Sequence, residues 1–90
     1  MKFGILSTAK IANKVSKAIH GSKYGTLMAV ASRNLEKAKE FAKENNIPKY
    51  YGSYDELLND SDIDAIYVPL PTNLAAEWCI KIANAGKHVL

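Results

Sequence analysis

Ninety residues, with 12 Lys and Arg against 9 Asp and Glu (net +3), an apolar fraction of 48% and one cysteine, allow a single small domain over residues 1–90. There is no 18-residue apolar run, signal-peptide pattern or low-complexity tract, so the reading is a soluble, cytoplasmic chain without a membrane partner. The basic residues are spread over three amphipathic segments and interleaved with glutamates in the second, which argues against a nucleic-acid surface, and the lone Cys79 fits a reducing compartment.

In chain order, Lys2 to Leu6 reads as a buried strand that turns through small residues into a helix. Ile11, Ala12, Val15, Ala18 and Ile19 recur at helical spacing with Lys10, Asn13, Lys14 and Lys17 opposite, and Gly21 stops the helix. Leu27 to Ala31 is near-continuously apolar, as a buried parallel strand is. Asn34 caps the next helix, whose buried face is Leu35, Ala38, Phe41 and Ala42, and Pro48 forbids its continuation. Lys49 to Tyr51 is a short edge strand. Ser53-Tyr54-Asp55-Glu56 has the capping-box form and opens a brief helix through Leu58.

After the polar turn Asp60-Ser61-Asp62, Ile63 to Val68 makes another apolar strand, broken by Pro69-Leu70-Pro71. Leu74, Trp78, Ile82 and Ala85 then stack at helical spacing, with Cys79 and Ala83 beside them and a Glu77/Lys81 pair outside. Gly86 ends that helix before a last strand, His88 to Leu90. The alternation predicts an α/β fold with about five parallel strands and helices on both faces. Right-handed crossovers leave two strand orders open, Rossmann and flavodoxin-like.

The turn after the first strand gathers free backbone N–H groups and the positive end of a helix dipole at one point, which makes it an anion site suited to a dinucleotide pyrophosphate. Lys10 and Lys14 stand where the dipole disfavours cations unless an anion offsets them. The fingerprint G-x-G-x-x-G/A asks for glycine at positions 7 and 9; the chain has Ser7 and Ala9, and only Ala12 fits the small third position. Backbone donors from Ser7, Thr8, Ala9, Lys10 and Ile11 are the expected pyrophosphate contacts.

An NAD-preferring site places a carboxylate at the end of the second strand to hold the ribose 2′-hydroxyl. Here Ser32, Arg33 and Asn34, with Lys37 one turn into the helix, offer a hydroxyl and two cations that suit a 2′-phosphate, so NADP is expected over NAD. Pro69, Leu70, Pro71, Thr72 and Asn73 follow a strand next to the first, where open α/β sheets bind ligands; Thr72 or Asn73 is the expected helix cap. His20 and His88 lack partners at metal-ligand spacing, and Asp60, Asp62 and Asp64 read as a turn. Trp78, Tyr50, Tyr51 and Tyr67 read as core or sheet filler. No metal site and no catalytic residue is expected.

Three stretches together carry a resemblance: Gly4-Ile5-Leu6-Ser7-Thr8-Ala9-Lys10-Ile11-Ala12; Ala29-Val30-Ala31-Ser32-Arg33-Asn34-Leu35-Glu36-Lys37-Ala38; and Ala65-Ile66-Tyr67-Val68-Pro69-Leu70-Pro71-Thr72-Asn73-Leu74 with Glu77-Trp78 and Ala85-Gly86-Lys87-His88-Val89-Leu90. Over essentially all of its length the chain resembles the N-terminal cofactor domain of the glucose–fructose oxidoreductase / inositol dehydrogenase (Gfo/Idh/MocA) family.

The resemblance implies a three-layer Rossmann-like sheet of order 3-2-1-4-5 and an NADP(H)-binding domain of an oxidoreductase acting on sugar- or polyol-type CH–OH groups. It departs from the family in having Ala75 where a histidine is usual. The family's Glu-Lys-Pro motif, with its catalytic lysine, would begin just beyond Leu90, and its substrate domain would follow. Residues 1–90 on their own are therefore expected to bind cofactor without turnover, as a truncated or engineered form. The competing expectation is an α/β scaffold that binds no cofactor and forms a homodimer through the exposed sheet edge or an uncovered apolar face.

Overall fold

The computed structural model describes residues 1–8, 10–21 and 25–90, positions 10 and 11 through their backbone alone. Among the described residues five strands and four helices alternate: β1 (Lys2–Leu6), α1 (Lys10–His20), β2 (Thr26–Ala31), α2 (Leu35–Glu44), β3 (Lys49–Tyr51), α3 (Tyr54–Leu58), β4 (Ala65–Tyr67), α4 (Thr72–Asn84) and β5 (His88–Val89). The strands form one all-parallel sheet of order β3-β2-β1-β4-β5, the Rossmann order.

Successive strand residues point to opposite faces, and each face is closed by two helices. Ile5, Leu27 and Val30 pack with Ala12 of α1 and Phe41 and Ala42 of α2. Leu6, Ala29, Ala31 and Ile66 pack on the other side with Tyr54, Leu57 and Leu58 of α3 and Ile82 of α4. The sandwich needs a close approach at Gly4: a Cβ there would lie 3.0 Å from Leu57 Cδ1.

The local signals operate as read. Asn34 accepts from the Lys37 amide at 3.2 Å and Ser53 from the Glu56 amide at 3.3 Å, each capping its helix. Gly86, at φ 80°, makes the left-handed turn that ends α4. Lys81 pairs with Glu77 at 3.4 Å.

Several expectations are corrected. The apolar strand expected from Ile63 to Val68 is paired only over Ala65–Tyr67, although Ile63 is buried in the core. Leu35, expected on the buried face, is 52% exposed: at the first position of α2 it lies against Gly52 just past β3 and outside the core. On α4 only Ile82 is fully buried, since β4 and β5 span three and two residues and give that helix little sheet to cover.

On α1, Ala18 is exposed and Ser16 is fully buried, its Oγ without a hydrogen-bond partner among the described residues. A buried unpaired hydroxyl costs about 1–3 kcal/mol, so Ser16→Ala is expected to raise stability by about 1 kcal/mol. A urea unfolding midpoint that falls on substitution would contradict this.

Candidate functional site

Because all strands are parallel, the carboxyl ends of β1, β2 and β4 lie at one end of the sheet. The order reverses on either side of β1, so α1 and α4 leave toward opposite faces and open a crevice between β1 and β4. The register pairs Leu6 with Ala31 and Ile5 with Tyr67, which sets the turns after the three strands at nearly one height.

The first turn leaves β1 through Ser7, which is buried and held at φ 152°, a backbone region that glycine enters freely and other residues rarely do. The chain therefore takes a glycine-like path although the glycine is absent. Helix α1 begins at Lys10 with no acidic residue in its first turn, and Ala9 lies outside the described residues. Ser7 and Thr8 line an open cavity of about 480 Å³ together with Asn13 of α1 and Lys37, Glu40, Phe41 and Glu44 of α2. This juxtaposes two of the expected phosphate contacts with Lys37.

At the end of β2, Ser32 donates its amide to the Tyr51 carbonyl at 3.1 Å and accepts the Asn34 amide on Oγ at 3.2 Å. Its hydroxyl proton is not consumed by that turn. Arg33 is exposed and makes no ion pair among the described residues; its guanidinium carbon lies 5.7 Å from the centroid of the Tyr54 ring. Arg33, Gly52, Ser53, Tyr54, Asp55 and Trp78 line a second cavity of about 250 Å³.

The loop after β4 joins neither of these two cavities. Pro71 occupies the cap position of α4 without a side-chain hydrogen bond, and Ala75 donates to its carbonyl at 2.8 Å. Thr72 and Asn73, expected as caps, instead sit exposed in the first turn, since Pro71 already has the extended backbone of a cap (φ −55°, ψ 149°). The amides of that turn thus have no side-chain cap. Leu70 packs on the core under this loop.

Sequence reasoning missed Asn13, Glu40 and Glu44 in the first cavity and Tyr54, Asp55 and Trp78 in the second. Lys37, Glu40 and Glu44 share one face of α2 by spacing alone. Tyr54 begins the helix directly after β3, and position at a strand's carboxyl end was the available signal.

A polar cluster ties β3 to the loops before β4 and β5. Lys49 Nζ lies 3.2 Å from Asp60 and 3.1 Å from Asp62, the Tyr51 hydroxyl donates to Asp60 at 2.6 Å, and Lys87 Nζ donates to the Asp60 and Ile63 carbonyls at 2.6 and 2.8 Å. Asp60 and Asp62, read only as a turn, thus also staple β3 to it, while Asp64 stands apart and accepts the Lys2 amide at 2.8 Å. Burial alone would push the Asp60 carboxyl up, but the Tyr51 hydroxyl, the Asp62 amide and the Lys49 ammonium together hold it below its ordinary value of 3.8. Its hydrogen bond to Asp60, and then burial, pushes the Tyr51 hydroxyl up; the bonds to Asp62 and Asp60 do the same for Lys49.

A lowered carboxylate stabilises the fold above its unfolded pKa and loses that contribution as pH falls through the folded value; the raised Tyr51 and Lys49 lose theirs as pH rises past about 10. Urea midpoints are expected to be level between about pH 5 and 9 and to fall below about pH 4, with the acid limb reduced in Asp60→Asn. An unchanged acid limb in that variant would refute the assignment.

Residues 1–90 match the family model of Gfo/Idh/MocA proteins, described as an oxidoreductase family with an NAD-binding Rossmann fold. The chain is 46% identical over 91 residues to D-xylose 1-dehydrogenase (NADP(+)) 2 of Haloferax volcanii, covering 100% of this chain and 28% of that protein. It is 45% identical to an uncharacterised oxidoreductase of Rhizobium meliloti, of which it covers 27%. Among solved structures it is similar to KijD10, a 3-ketoreductase from Actinomadura kijaniata in complex with NADP and TDP-benzene, with a TM-score of 0.95 and 36% identity over 100% of this chain and 28% of that one. The chain therefore spans little more than a quarter of the relatives it matches.

Proposed function

This chain belongs to the Gfo/Idh/MocA oxidoreductase family, and we propose that it is the NADP(H)-binding unit of an oxidoreductase acting on sugar- or polyol-type CH–OH groups. The observation that carries the cofactor choice is the end of β2, where Ser32, Arg33 (without an ion pair among the described residues) and Asn34 stand in place of a carboxylate. The naming of the Haloferax relative for NADP(+) and the NADP in the KijD10 complex agree with it, and D-xylose and a dTDP-sugar in relatives' names support the substrate class.

The residues present fit a dinucleotide. Ser7 keeps the glycine-like turn, so the amides of Ser7, Thr8, Ala9, Lys10 and Ile11 are assigned to the pyrophosphate at the start of α1. Ser32, Arg33, Asn34 and Lys37 are assigned to the 2′-phosphate. Lys37 lines the first cavity and Arg33 the second, so this set meets a phosphate only at the β2–α2 turn between them; Glu40 and Glu44, about 4.5 and 10.5 Å further along α2 than Lys37, disfavour a site deeper along that helix. Pro69, Leu70, Pro71, Thr72 and Asn73 pack the nucleotide on the β4 side, where the uncapped first turn of α4 offers further amides. The bound nicotinamide would supply the hydride chemistry; these residues bind and orient it.

Calorimetric titration of the chain tests the proposal. Saturable binding with NADP at least about tenfold tighter than NAD is expected, a difference of about 1.4 kcal/mol. Equal affinities, or no heat with either, would overturn it. A second, compatible reading is homodimer formation at the β5 edge, favoured by exposed Val89 and Leu90. Light scattering that shows a monomer at high concentration would exclude it.

A further inference from the structure

Arg33 is an exposed arginine on a bend, with no carboxylate holding it among the described residues. Such a side chain carries substantial rotamer freedom, and a free arginine must lose it when it grips a phosphate. Yet this guanidinium rests over a ring that is itself fixed. Tyr54 is 9% exposed in the α3/α4 core, and it meets Trp78 edge-to-face at 5.1 Å and 86°. Trp78 in turn carries Lys81 Nζ 4.3 Å from its ring centroid. The result is a ladder, Lys81–Trp78–Tyr54–Arg33, with a cation at each end and two perpendicular rings between. Asp55 lines the same cavity as Arg33, yet no ion pair forms between them, so the ring and not the neighbouring carboxylate is where Arg33 rests.

We propose that Tyr54, held by Trp78, is a positioning residue that presets Arg33 for a 2′-phosphate and so contributes to discrimination between NADP and NAD. A guanidinium 5.7 Å from the ring centroid is within cation–π reach, and that contact consumes none of its five N–H donors, which remain available to phosphate oxygens. The ring therefore orders the cation without using the groups that bind. It also draws Arg33 away from Asp55, whose carboxylate would otherwise compete with the phosphate. NAD offers Arg33 no anion at the ribose, so the ring's contribution falls on NADP alone. The inference rests on the assignment of Ser32 and Arg33 to the 2′-phosphate.

The test is a set of NADP and NAD titrations of the chain and its Tyr54→Phe, Tyr54→Leu, Arg33→Ala and Tyr54→Leu/Arg33→Ala variants. A cation–π contact at an exposed site corresponds to about a two- to fivefold change in affinity. Tyr54→Leu is expected to weaken NADP by about that factor and leave NAD within about twofold, with Tyr54→Phe restoring the original ratio. Once Arg33 is alanine, Tyr54→Leu should have no further effect on the ratio.

A Tyr54→Leu variant that weakens both cofactors equally, or neither, while Arg33→Ala abolishes the preference, would overturn the positioning role and leave the phosphate assignment standing. An unchanged ratio in Arg33→Ala would remove both. A measurement on the unsubstituted chain guards against a variant that does not fold. The Arg33 side-chain protons should be shifted upfield by the Tyr54 ring in NMR spectra, before and after NADP is added. Unshifted resonances would contradict the proposal.

Discussion

In Arg33→Glu, NADP affinity is expected to drop about a hundredfold, while NAD affinity holds or improves. Hydrogen bonds to charged groups contribute about 1.5–3 kcal/mol, and a carboxylate in the same place adds like-charge repulsion against the 2′-phosphate. The same carboxylate gives the 2′-hydroxyl of NAD the acceptor that dinucleotide sites of the other preference carry. The effect should fall in the ratio of the two affinities, which separates it from damage to the fold. Arg33 is exposed and makes no ion pair among the described residues, so the melting temperature should hardly move. Ser32→Ala is expected to do less, about severalfold, because that hydroxyl already accepts the Asn34 amide and has only its proton to offer. Calorimetry on the three chains decides it: an unchanged preference for NADP in Arg33→Glu would remove the assignment.

How much of this was legible in the sequence divides along the range of the interactions. The strands, the helices and their order of succession were legible because each rests on a local pattern: the apolar run of Leu27 to Ala31, the Asn34 and Ser53 caps, the stop at Gly86. The Rossmann strand order was not legible from those patterns, since both candidate orders share the same succession of elements; the resemblance supplied it and the sheet has it.

Ser16 is the opposite case. Its polarity marks it as a surface residue, yet it takes the buried place on α1 one turn past Ala12, because helix phase and the sheet beneath decide burial there. Trp78 was read as core or sheet filler and Tyr54 only as part of a capping box, and both readings are incomplete. Their contact with Arg33 joins three elements distant in sequence, and no spacing rule reaches across them.

The Ser7 turn is the place where sequence and backbone disagree, and substitutions there should show it with opposite signs. At φ 152° a residue with a Cβ pays about 1–3 kcal/mol in conformational strain. Ser7→Gly relieves that strain and gives back about 0.4–1 kcal/mol through the greater freedom of the unfolded chain, so a net gain of about 1 kcal/mol is expected. Ser7→Val adds a β-branched side chain at the same angle in a buried position and should lose about 2 kcal/mol or more.

For a domain of this size, about 3 kcal/mol between the two variants separates their melting temperatures by on the order of 15 °C. The same pair should separate in cofactor affinity. Glycine keeps the turn and lets the pyrophosphate approach the backbone more closely, whereas valine forces the turn out of the glycine-like region and misdirects the amides after it. If Ser7→Gly neither stabilises the chain nor tightens NADP, the serine is at ease in its turn. The weakened fingerprint would then be an adaptation of this site to its own side chain, and the strain argument would fall with it.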